Sequence, residues 1–130
     1  MAEARRRPPR RSPDPRRSLG ARGETVAAEW YESAGYEVVD RNWRCRDGEL
    51  DLVVAGRDVV VFCEVKTRRG GAFGAPAEAV TFPKQRRIRG LALRWLGEHH
   101  VGARRIRFDV ASVRFDRDNV ANVEVITDAF

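Results

Sequence analysis

Two cysteines, two histidines and no long apolar run are all that this 130-residue chain offers of three common functional signals. Cys45 and Cys63 cannot supply a four-ligand zinc site, and in a reducing compartment they do not read as a structural disulfide. Cys63, inside an apolar run, reads as core. His99 and His100 are adjacent at an expected helix end, where imidazoles complement the helix dipole, so a serine triad has no pattern to rest on. The longest purely apolar run, residues 59–63, is far short of the roughly 20 residues that cross a bilayer. Arg10-Arg11-Ser12 resembles the start of a twin-arginine export signal, but no apolar stretch follows it. The expected setting is therefore cytoplasmic, with no membrane partner.

What the chain does have is charge. Charged residues make up 34% and the hydrophobic set 42%, the balance of one folded domain rather than a disordered chain. The net charge of +6 is unevenly placed: residues 1–19 carry seven arginines against Glu3 and Asp14, a net of +5, which leaves +1 for the rest. The same segment holds Pro8, Pro9, Pro13 and Pro15 and almost no large apolar residue, so it cannot offset its ordering entropy. A disordered basic tail over residues 1–19 and a domain over residues 20–130 are expected. The tail suits either an electrostatic arm for phosphate backbones or a solubilising extension.

From Gly20 the pattern becomes helical, with Ala27, Trp30, Tyr31 and Ala34 at core spacing and Gly35 as a stop. Glu24 falls at the edge of that buried stripe. Three valine-rich stretches, residues 36–43, 49–54 and 59–67, predict an antiparallel meander, with turns at Arg46-Asp47-Gly48 and residues 55–58. A glycine-rich connection, residues 69–77, leads to a second helix with Thr81 as N-cap, Pro83 in the first turn, and Ile88, Leu91, Ala92, Trp95 and Leu96 as its core stripe. That connection reads as an ordinary link or as a flap beside a metal site, and it lacks the lysine and hydroxyl of a P-loop. Alternation at Ile106, Phe108, Val110, Val113 and Phe115, then at Val123 and Val125 after the turn of residues 116–119, predicts two more strands. The order αβββαββ is that of an α/β sandwich, helices covering a mixed five-stranded sheet.

On these strands the period-2 rule sends Asp51 to one face with Leu50 and Leu52 on the other, and gives Glu64 and Lys66 a common face. Two neighbouring strands thus present two carboxylates and an ammonium. Hydrolysis of a phosphodiester needs a divalent cation with hard oxygen ligands, for which Asp51, Glu64 and the carbonyl of Val65 are suited. Lys66 suits the water or the pentavalent phosphorus. The same residues also suit a plain salt bridge on a solvated face. Lys84, Arg86, Arg87, Arg89 and Arg94 cluster on the second helix. Lys84 borders the buried stripe and is expected to have a partner; Arg89 and Arg94 read as a solvated face. Trp30 and Trp95 read as core rather than as base-stacking groups, and Trp43 is open between the two.

Asp51, twelve intervening residues, then Glu64-Val65-Lys66 resembles the PD-(D/E)xK nucleases, although Leu50 stands where the motif's proline would be. The chain more closely resembles the YraN family of small bacterial proteins, uncharacterised protein family 0102. The resemblance runs over about residues 20–127 through Gly23-Glu24, Gly35-Tyr36, Arg41-Asn42, Gly48-Glu49-Leu50-Asp51-Leu52, residues 61–68, Phe73-Gly74-Ala75-Pro76, Lys84 and Arg107-Phe108-Asp109-Val110. That family is similar to archaeal Holliday-junction resolvases. The resemblance implies a restriction-endonuclease-like (tRNA endonuclease-like) core with Glu24, Asp51, Glu64 and Lys66 as the catalytic set. It also implies Mg2+ or Mn2+ as cofactor and nucleic acid, DNA rather than RNA, as partner, with branched or single-stranded DNA among the candidate substrates and a homodimer as the resolvase-like assembly. Arg68, Arg69, Lys84, Arg86 and Arg87 are the expected nucleic-acid contacts. The alternative is a nucleic-acid-binding or recombination-accessory protein of the same fold without turnover.

Overall fold

The computed structural model describes residues 15–70, 80–103 and 105–130. The elements run α1 (Pro15–Ser33), β1 (Glu37–Cys45), β2 (Gly48–Gly56), β3 (Val59–Arg69), α2 (Phe82–His99), β4 (Arg105–Phe115) and β5 (Ala121–Ile126). This is the expected order. The strands form one sheet in the order β1-β2-β3-β4-β5. All neighbours are antiparallel except β3 and β4, which are parallel from Val59↔Arg105 to Arg69↔Phe115. The parallel pair needs a crossover between its strands, and α2 is in it. A mixed five-stranded sheet flanked by two helices is consistent with a restriction-endonuclease-like core.

Helix α1 begins at Pro15, five residues before the periodic pattern starts at Gly20. Proline is tolerated at the first helical position, where its missing N–H costs nothing, and arginine is a good helix former. Leu19 then adds an apolar contact to the core. The rest of the expected tail, residues 1–14, and the segment of residues 71–79, which holds the expected flap and Phe73-Gly74-Ala75-Pro76, lie outside the described residues.

The sheet has a core on each face. On the α1 face Ala27, Tyr31, Leu52, Val54, Val61, Cys63 and Val113 are buried together. On the α2 face the buried set includes Leu50, Val53, Phe62, Ile88, Leu91, Trp95, Phe108 and Val110. Strand β3 supplies both cores, with Val59, Val61 and Cys63 on one side and Val60 and Phe62 on the other; a central strand covered on both faces reads as a continuous apolar run. Thr81 caps α2 as expected, its hydroxyl accepting from the Lys84 amide, with Pro83 in the first turn. Trp30 packs edge-on to Tyr31, and Trp43 packs edge-on to His99 beside the α2 core.

One expectation fails. Leu50 and Leu52 do not share a face: Leu50 packs under α2 and Leu52 under α1. Strand alternation in β2 is interrupted at Asp51; across from it Asn42, between the pairs Arg41↔Leu52 and Trp43↔Leu50, sits at φ 52°, and the register shift of the two strands lies between Val38 and Asp40. A non-glycine residue in the left-handed region twists the β1–β2 ribbon locally.

Helix α1 is pressed onto β3 at Gly23, where an added Cβ would lie 1.9 Å from the Thr67 Oγ1 and 2.8 Å from its Cβ. Because the Thr67 Cβ is itself too close, turning its side chain gives no relief. Gly23→Ala is expected to cost about 1–3 kcal/mol by overpacking, read as a lower urea midpoint at unchanged slope. An unaltered midpoint would show that the helix can shift freely.

Candidate active site

The site lies where β2 and β3 part. Their pairing runs from Gly56↔Val59 to Leu52↔Cys63 and stops there, while β3 stays paired with β4 to its end. The next residues across the gap are Asp51 and Glu64. In place of a ladder bond, the Val65 amide donates to Asp51 Oδ2 at 2.9 Å. That bond turns the Asp51 carboxylate to the Glu64 side of the sheet, where the two line one cavity of about 380 Å³ with Glu49, Lys84, Arg87 and Ile88.

Glu64 is buried, and both lysines address the same oxygen: Lys84 Nζ is 2.6 Å from Glu64 Oε2 and Lys66 Nζ is 3.8 Å from it. Lys84 therefore has the partner that its place beside the α2 stripe implied. Burial, then the negative charge of Glu64, raises the Asp51 carboxyl to about 7, against the lowering effect of the Val65 amide. Lys66 is held below the ordinary lysine range, first by its hydrogen bond with Lys84, then by burial and the Lys84 charge. Burial pulls on Lys84 in the same direction, but hydrogen bonds to Glu64 and Lys66 prevail and raise it.

Glu24 approaches from the other side. It lines a separate cavity of about 490 Å³ with Gly20, Ala21, Asn42, Arg44 and Glu49; Glu49 is common to both cavities. Burial raises the Glu24 carboxyl, opposed by a hydrogen bond with Asn42 and the Arg41 charge and reinforced by Glu49 and Glu64. Four acidic side chains thus act on one another across the strand gap.

Among the described residues no three His, Cys, Asp or Glu side chains are grouped closely enough to hold a metal by themselves. The donor set expected from the sequence, Asp51, Glu64 and the Val65 carbonyl, would offer hard oxygens of the kind magnesium prefers. The raised Asp51 carboxyl records burial first and crowded negative charge second, and a divalent cation would neutralise that charge. The residues present therefore fit such an ion.

A family profile described as uncharacterised protein family UPF0102 matches residues 23–113. The chain belongs to UPF0102. Its UPF0102 relatives include a protein of Rhodococcus opacus, 52% identical over 113 residues that make up 87% of this chain and 96% of the relative. A Beutenbergia cavernae protein is 55% identical over 107 residues, 82% of this chain and 91% of its own. A Nocardia farcinica protein is 57% identical over 98 residues, 75% and 77% of the two chains. The UPF0102 match begins one residue before Glu24 and ends in β4, so it spans Glu24, Asp51, Glu64, Lys66 and Lys84 and leaves out β5.

Of the expected nucleic-acid contacts in this UPF0102 protein, Lys84 and Arg87 line the cleft, Arg86 is exposed on α2, and Arg68 follows Lys66 on the same face of β3 by strand alternation. Arg69 falls on the opposite face and donates to Asn119 Oδ1 at 3.2 Å. Arg94 pairs with Asp47 and Glu98, and Arg89 lies over Phe108 and Phe130. Asn42 and Glu49 joined the site without being singled out beforehand. Both lie in stretches that carry the family resemblance, Arg41-Asn42 and Gly48-Glu49, and Glu49 also stands two residues before Asp51 on a strand.

Proposed function

We propose that this protein is a divalent-metal-dependent endonuclease that hydrolyses DNA phosphodiesters, with Asp51, Glu64 and the Val65 carbonyl as the Mg2+ or Mn2+ ligands. The observation that carries this reading is the meeting of Asp51, Glu64 and Lys84 in one open cleft at the β2–β3 parting, with Lys66 on the same Glu64 oxygen as Lys84. A bound divalent cation supplies charge neutralisation at the phosphoryl oxygens. Asp51 is oriented by the Val65 amide, which leaves its second oxygen for a ligand. Lys66, its proton affinity lowered by Lys84 and by burial, orients or activates the attacking water or stabilises the pentavalent phosphorus. Arg87 and Lys84 at the cleft wall meet the substrate phosphates. Glu24 orients from the far side of the gap through Asn42 and the acidic cluster. No helix among the described residues is long and apolar enough to cross a membrane, and a cytoplasmic setting, with DNA at hand, goes with this function.

A second reading has its own support. Lys84 Nζ already sits 2.6 Å from Glu64 Oε2, where a cation would be needed, as expected of a nucleic-acid-binding protein that works without turnover. Titrating Mn2+ into wild type and Asp51→Asn by calorimetry separates the two. The nuclease reading expects affinity to fall by more than the roughly 10–100-fold that loss of an outer-shell partner costs. It also expects cleavage of labelled duplex, single-strand or four-way DNA to disappear in the variant. Equal Mn2+ affinity in both proteins, with no cleavage by either, would leave the binding reading in place.

A further inference from the structure

Past the cleft, the α2 face of the sheet changes character. Along β3 it goes from Val60 and Phe62, both buried, to Glu64, Lys66 and Arg68. The register carries this change across the sheet: Lys66↔Ser112 and Arg68↔Arg114 to β4, then Ser112↔Glu124 and Arg114↔Asn122 to β5. The opposite face of the same stretch stays apolar, with Ala111, Val113 and Phe115 buried. The polar face is therefore not the frayed end of the sheet. It is one side of a strand whose other side is core.

Ser112, Arg114, Asn122, Val123 and Glu124 line a cavity of about 190 Å³ on these two strands. Arg114 is half-buried, and its guanidinium has no hydrogen-bond or ion-pair partner among the described residues. Among the other half-covered cations of the described residues, Lys84 and Lys66 address Glu64, Arg107 holds Asp109 and Arg22 lies over the Phe115 ring. Glu124, across from Ser112, is exposed and does not reach Arg114 within ion-pair distance. A partly desolvated guanidinium beside a hydroxyl and a carboxamide is a donor set for phosphate oxygens.

We propose that this β4–β5 face is a second phosphate subsite, in which Arg114, with Ser112 and Asn122, holds the DNA backbone as it leaves the Asp51–Glu64 cleft by way of Lys66 and Arg68. The proposal rests on the nucleic-acid reading of the cleft and adds to it the course of the strand. Lys66 and Arg68 are two residues apart on β3, about 6.6 Å, so the charges follow one another along one line.

The test is fluorescence anisotropy of labelled single-strand and duplex DNA in EDTA, across a salt series, for wild type, Arg114→Gln and Arg114→Lys. Arg114→Gln is expected to weaken both DNA forms alike and to lower the salt slope by about one, while Arg114→Lys keeps the slope. The thermal midpoint of Arg114→Gln without DNA stays at or above that of wild type, since no partner among the described residues is lost; a purely structural arginine would give a fall instead. An unchanged affinity and slope in Arg114→Gln, or no DNA binding by wild type, overturns the subsite. Reduced binding in Arg114→Gln together with no cleavage by wild type in any metal keeps the subsite and removes the nuclease reading. Cleavage by wild type with unaltered binding in Arg114→Gln does the reverse.

Discussion

Lys66→Met is expected to lower DNA cleavage by about 10²- to 10⁴-fold, the usual worth of a positioned acid or base, with Mn2+ binding retained. Both halves follow from the two lysines on Glu64. Lys84 is the closer, at 2.6 Å against 3.8 Å, so Glu64 keeps a partner when Lys66 is removed and the cleft keeps its shape. Asp51 is held by the Val65 backbone amide rather than by either lysine, and it too stays in place. What is lost is the one amine whose proton affinity its neighbour depresses. Single-turnover cleavage beside Mn2+ calorimetry reads the two effects separately. A variant that cuts at the wild-type rate would remove Lys66 from the chemistry, and one that also loses the metal would make it a structural support.

The second large effect concerns stability. Asp109 is fully buried on β4 and takes four hydrogen bonds: from Arg107 Nε and Nη2 at 2.9 Å each, from the Tyr31 hydroxyl at 2.5 Å, and from the Asp128 amide at 2.9 Å. Arg107 is only 14% exposed. Asp109→Ala leaves that guanidinium, a phenol and an amide without their acceptor. Breaking a buried pair from one side costs about 3–5 kcal/mol, a large part of the roughly 5–15 kcal/mol that holds a domain together. Urea unfolding should show it as a lower midpoint. Because Asp109 stands opposite Cys63, the neighbour of Glu64, the variant should also lose Mn2+ affinity before it unfolds. A loss under about 1 kcal/mol would mean that water replaces the carboxylate in place.

Local signals were enough for much of the fold. Valine-rich alternation placed all five strands to within a few residues, and Thr81 with Pro83 marked the start of α2, because strand period and helix capping are set within a few residues of chain. Family membership was legible in the ordered motifs from Gly23 to Asp109. The start of α1 was not, since arginines after a proline fit a tail and a helix equally well until Leu19 finds a core to pack on.

For the site, the sequence by itself determined that Glu64 and Lys66 share a face and that two carboxylates lie on adjacent strands, since both statements need only the period of a strand. The tertiary structure alone decided the rest. It parted β2 from β3 at Asp51, turned Leu50 under α2, brought Lys84 from a distant helix to Glu64, and set Glu24, Asn42 and Glu49 around the gap. The physical reason is that these depend on where a ladder stops and on which helix covers each face of the sheet. Pairing register between strands and the seat of a helix on a sheet are settled by contacts far apart in the chain, which no window of sequence contains.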